Sequence, residues 1–89
     1  MLNYYQKISV HLTNEIKYLQ QQSELLVNAN NNITVQFYSG LITEDIFSFE
    51  LSSRNFLLDC TLLSLSELKL KLKEVENIYS QLSTNVNNV

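Results

Sequence analysis

Proline is absent from the chain and glycine occurs once, at Gly40, so no Pro/Gly-rich linker divides it. An undivided chain of 89 residues reads as a single domain spanning 1–89. The architecture then depends on where the hydrophobic period changes along the sequence. No internal repeat is evident. Two asparagine clusters interrupt the pattern: Asn28, Asn30, Asn31 and Asn32 in the middle, and Asn85, Asn87 and Asn88 at the end. The first reads as a turn closing a helix, because Asn tolerates positive φ at a helix C-terminus. The second reads as a frayed tail from about residue 84.

Residues 3–27 carry a helical pattern. Tyr5, Ile8, Leu12, Ile16, Leu19 and Leu26 recur at three- and four-residue steps and share one face. A narrower stripe at strict seven-residue spacing, Tyr4, His11, Tyr18 and Leu25, lies about 100–120° round the helix from the first. A helix with two such stripes has more to bury than one packing layer covers. After the asparagine run the period changes to two. Ile33, Val35 and Phe37 alternate with polar or aromatic neighbours over 33–39, and Phe47, Phe49 and Leu51 do the same over 46–51. Gly40 reads as a bulge or bend, and the runs 43–45 and 52–55 as turns.

Residues 56–63 fit a third strand, with Phe56, Leu58, Cys60 and Leu62 facing inward and Asp59 and Thr61 outward. The competing reading is one long helix from about Ser53 to Ser83. It would measure about 45 Å, too long for a compact domain of radius near 12 Å, and would need a coiled-coil partner. Residues 66–83 form a second helix. Leu65, Leu68, Leu72, Val75, Tyr79 and Leu82 fall in one arc, Ile78 sits at its border, and Leu70 projects from the polar face. Ser64 or Ser66 would cap its start. The fold class expected is α+β: helix, three-stranded antiparallel meander, helix, in two layers. The alternative is an all-α helical hairpin or coiled coil. In outline the expected α-β-β-β-α order is similar to part of the secretion-system effector chaperones, an analogy of fold alone.

Composition removes several functional classes. The apolar fraction is 45% and the charged fraction 17%, values that suit a folded chain rather than a disordered one. No segment reaches the roughly 20 uncharged apolar residues of a membrane span. The first residues lack a basic cluster followed by an apolar core, so a cytoplasmic, intracellular location is expected. A net charge of −3 argues against direct nucleic-acid binding. One Cys and one His exclude an internal disulfide and a recognisable zinc site. No cofactor is expected, since no phosphate-binding glycine loop is present.

An enzyme is not expected either. His11 reads as an interface or partly buried imidazole, because catalysis needs a nucleophile or carboxylate at reach and the spacing offers none. Cys60 reads as a small buried residue, and Glu44-Asp45 as solvated turn residues.

Charge distribution says more than any motif. Between Lys17 and Lys69 the only basic residue is Arg54, against Glu24, Glu44, Asp45, Glu50, Asp59 and Glu67, a net of −5. Lys69, Lys71 and Lys73 cluster on the last helix. The expected function is therefore a non-enzymatic protein–protein interaction module, a homodimeric chaperone or adaptor or a small-complex subunit. Its partner is another protein or a second copy. The contact residues expected are Tyr4, His11, Tyr18 and Leu25 on the first helix and Tyr38, Ile46, Leu57, Leu63 and Leu70 further on, with Glu44, Asp45, Glu50 and Asp59 forming an acidic surface. The alternative is an acidic inhibitor occupying a basic, nucleic-acid-binding cleft of a target protein.

Overall fold

The computed structural model describes residues 2–87 and contains two elements, helix α1 (Leu2–Tyr38) and helix α2 (Glu44–Asn87). They run antiparallel as a hairpin of 70 × 14 × 14 Å with a radius of gyration of 20.0 Å. At 1.5 Å per residue, 44 residues of helix span about 66 Å, so α2 alone accounts for the long axis. No strand occurs among the described residues. The α+β expectation is thus overturned, together with its likeness in outline to effector chaperones, and the all-α hairpin stands in its place. The frayed end expected from about residue 84 runs into Asn88 and Val89, which lie outside the described residues; α2 itself is helical through Asn87.

The three expected strands are helix because a four-residue step satisfies both periods. Ile33 and Phe37 are two strand steps apart, but they are also i and i+4 on one helix face. Ile33 is 4% exposed, whereas Val35, which a strand would place beside it, is 64% exposed on the outside. Phe47 and Leu51 likewise turn inward while Phe49 points away. In the third segment Leu58 is half-buried, and Phe56, Cys60 and Leu62, all expected inward, are exposed. The hydroxyls that lower helix propensity find partners within the helix. Thr34 donates to the Asn30 carbonyl (2.8 Å), Thr61 to that of Leu57 (2.9 Å) and Ser53 to that of Phe49 (3.0 Å).

The asparagine run is not a turn, and α1 passes straight through it. The reversal comes instead at Gly40, whose φ of 76° is the left-handed conformation glycine adopts without steric cost. There the Gly40 amide donates to the Phe37 carbonyl (3.0 Å) and the Leu41 amide to that of Gln36 (2.9 Å), the paired bonds of a Schellman closure. α2 then starts on Thr43, whose Oγ1 accepts from the Ile46 amide at 3.4 Å. Glu44 and Asp45 occupy its first turn, where negative charge complements the helix dipole. Ser64 and Ser66, expected as caps, lie inside α2.

Two cross-helix contacts set the register. Phe37 stacks on Phe47 with centroids 4.5 Å apart, and Asn30 bonds to Asn55. Along α2 the inward residues are Phe47, Leu51, Arg54, Leu58, Thr61, Leu65, Leu68, Leu72, Val75, Tyr79 and Leu82. They alternate four- and three-residue steps without a break, the seam of a coiled coil. On α1, Tyr5, Leu12, Leu19, Leu26 and Ile33 keep strict seven-residue spacing and all face inward.

Candidate interaction surface

A two-helix hairpin offers one seam, and most of this chain's large apolar side chains are not in it. Among the described residues only Leu12, Ile16, Ile33 and Leu65 are buried, and none is fully enclosed. A compact monomer of 10.3 kDa exposes about 5,400 Å² by size scaling. This hairpin exposes 6804 Å².

The exposed apolar residues are not spread evenly. In the half of the hairpin near the termini, the seam is apolar, from Tyr5 to Leu19 on α1 and Leu65 to Leu82 on α2. The outer surface of α2 there is mostly polar, with Lys69, Lys71, Lys73, Glu74, Glu76 and Asn77 all exposed; Leu70, where the ridge described below ends, and Ile78 are its exposed apolar residues. In the half near the Gly40 turn the seam is mixed, with polar groups beside Ile33, Leu51, Leu58 and the stacked Phe37 and Phe47. Arg54 Nη1 donates to the Ala29 carbonyl (3.5 Å), its Nη2 pairs with Glu50 Oε2 (3.4 Å), and Asn30 Nδ2 donates to Asn55 Oδ1 (3.1 Å). Asn30 Oδ1 is buried with no partner among the described residues, a condition that costs about 1–3 kcal/mol. Such a polar layer weakens a coiled-coil seam while fixing its register.

The outer face of this half is apolar. Taking the seam of α2 as the a and d positions of a heptad, Phe49, Phe56, Leu63 and Leu70 occupy the outermost f position in four successive heptads. They are 74%, 68%, 64% and 64% exposed. Ile46 and Cys60 stand beside this ridge at c, and Leu57 and Leu62 flank it, all exposed. Between Phe49 and Phe56 lies a shallow hollow lined by Phe49, Ser52, Ser53, Phe56 and Leu57. Residues at i, i+3, i+4 and i+7 form the hole that receives a knob in helix packing. The outward side of the loop half is therefore built like a second seam.

The contact residues expected from sequence are all on the surface. Tyr4, His11, Tyr18 and Leu25 form one exposed row on α1, at the position just before its inward heptad row. Tyr38 lies at the turn end, its ring meeting that of Phe37 edge-on (5.4 Å). Ile46, Leu57, Leu63 and Leu70 gather on or beside the α2 ridge. The structure does not join these groups into one patch: the α1 row and the α2 ridge belong to different helices and, for Tyr4 and His11, to different ends of the hairpin. Sequence reasoning missed the two phenylalanines that dominate the ridge, since strand parity turned Phe49 and Phe56 inward. The seven-residue spacing of Phe49, Phe56, Leu63 and Leu70 was the signal that would have found them.

The acidic residues are divided as well. Glu44, Asp45 and Asp59 are exposed, whereas Glu50 is half-buried against Arg54. Asp45 and Asp59 are 14 positions apart on one helix, about 21 Å. No group of His, Cys, Asp and Glu among the described residues could hold a metal ion. Among those residues no helix is long and apolar enough to cross a membrane. Comparison with protein-family models, with curated proteins and with solved structures finds no match.

Proposed function

We propose that this chain is a non-enzymatic protein–protein interaction module, a helical hairpin that contributes its outer α2 face to a larger helical assembly. One observation carries the reading: the ridge of Phe49, Phe56, Leu63 and Leu70 at f positions, where a solitary hairpin would carry charge. Burial of such a side chain contributes about 1.5–3 kcal/mol, so a partner that covers the ridge gains a large driving force. The exposed free thiol of Cys60 suits a reducing compartment, and we place the chain in the cytoplasm on that ground. The rival reading, an acidic inhibitor of a basic cleft, has less support. Of its four acids, Glu44 and Asp45 lie at the start of α2 and Asp59 about 21 Å further along it, and Glu50 is engaged by Arg54.

The test is a ridge variant, Phe56→Glu with Leu63→Glu, compared with the unaltered chain by circular dichroism and by mass in solution with and without captured partners. Both side chains point away from α1, so helicity should be retained while every stable association is lost. A variant that keeps the same associations as the unaltered chain would refute the reading.

A further inference from the structure

Resting on that reading, we propose that the occupant of the α2 ridge is a second copy of this chain, docked antiparallel so that two hairpins form a four-helix assembly through α2 against α2. Three features of the chain specify this occupant. The first is area. The excess of 6804 Å² over about 5,400 Å² for a compact monomer belongs to the whole 70 Å rod, and the ridge from Phe49 to Leu70 runs about 32 Å along it, a length that suits an interface of standard size, about 800 Å² from each partner. The second is shape. A two-fold interface must be self-complementary, and a ridge with a regular seven-residue repeat meets that condition when reversed upon itself. With Phe56 beside the two-fold axis, Leu63 of the second copy seats in the hollow lined by Phe49, Ser52, Ser53 and Phe56. Phe49 in turn lies between Leu63 and Leu70 of the second copy.

The third feature is charge, and it fixes the direction. Asp45 stands at b beside the start of the ridge and Lys73 at b beyond its far end, with Lys69 and Lys71 further round the helix at e and g, all exposed. Reversal by a two-fold axis brings the same flank of each helix together. Asp45 and Lys73 are both b positions, so Asp45 of each chain faces Lys73 of the other. A parallel pairing would leave Asp45 with no lysine at its level and would set the lysine ends of the two helices side by side, a like-charge arrangement that disfavours association. One like-charged meeting remains in the antiparallel pair: Asp59 lies close to its own counterpart near the axis. Replacing Asp59 by Asn is therefore expected to tighten the dimer.

Sedimentation of the full chain tests this, with spin labels read by pulsed electron resonance for direction. The expected mass is twice 10.3 kDa, falling to the monomer value for Phe56→Glu with Leu63→Glu. Lys73→Glu alone should raise the dimer dissociation constant at least tenfold, and adding Asp45→Lys should restore most of that loss. The double swap changes neither the seam nor the ridge, so its recovery does not depend on how the ridge variant folds. A label on Cys60 should report a short distance between chains. A label on Asn77→Cys, in a Cys60→Ser background, should lie about 60 Å from its counterpart at the rise of a helix. A monomer at every concentration, no rescue by the swap, or a short distance between the two labels at 77 would overturn the proposal. If the chain is monomeric yet its ridge binds a different protein, the second copy is refuted and the module reading survives. If the ridge binds nothing, both fall.

Discussion

The two halves of the hairpin use the same helices for opposite purposes. Near the termini, Leu12, Ile16 and Leu65 are buried between the helices and lysines, glutamates and Asn77 cover the outside of α2. Near the turn, Asn30, Arg54 and Thr61 share the seam with Ile33, Leu51, Leu58 and the stacked Phe37 and Phe47, and phenylalanine and leucine cover the outside. The first half has a mostly polar outer face on α2, whereas the second leaves an apolar ridge facing water. Stability of the isolated chain should therefore come mainly from the terminal half, and association from the turn half.

That division gives predictions of decreasing size. Leu65→Ala removes a buried side chain from the apolar seam and should cost about 3 kcal/mol, read as a fall in the urea midpoint. Phe49→Ala, an equal or larger truncation, should change the stability of the monomer by less than about 0.5 kcal/mol because its ring contacts water. Equal losses from these two variants would erase the distinction between the halves. Asn30→Leu should stabilise by about 1–2 kcal/mol, since it replaces a buried unpaired oxygen with apolar contact. A lower thermal midpoint for that variant would mean that the polar layer holds the turn half together. Gly40→Ala meets no atom within 4 Å, so only the backbone cost of positive φ remains, about 1 kcal/mol. Removing the Glu50–Arg54 pair by Glu50→Gln should matter least. The pair is partly exposed, and such pairs contribute about 0–1 kcal/mol, less in salt.

The terminal half was readable in the sequence and the turn half was not, for a physical reason. Between Leu65 and Leu82 the seam residues are all apolar and the outer residues nearly all polar, so the helical period stands out. The inward face of Tyr5 to Leu26 was legible for the same reason. Between Ile33 and Leu63 apolar residues lie on both sides of the helix, and the contrast that reveals a period is lost. What survived was alternation, because seam residues such as Phe47 and Leu51 and outer residues such as Phe49 interleave at two-residue steps. The expectation of a compact body also weighed against the long helix, whereas the chain extends to 70 Å. Two signals ran the other way. Ile33 continues the seven-residue row of Tyr5, Leu12, Leu19 and Leu26 across the asparagines, and Gly40, the single glycine, adopts positive φ at less cost than any asparagine. The exposed ridge follows the same pattern: Ile46, Leu57, Leu63 and Leu70 could be named as contacts from sequence, but their shared face with Phe49 and Phe56 required the helix.

Cys60 offers the most direct test of whether the outer face of the turn half is covered in the assembled protein. Its thiol stands at the edge of the ridge and is exposed in the single hairpin, so its rate of reaction with a maleimide reports on that face alone. In the unaltered chain at high concentration the rate should fall at least tenfold below that of a free thiol, and return to it on dilution or in Phe56→Glu with Leu63→Glu. Reaction at the free-thiol rate at every concentration, identical in the two proteins, would contradict the account.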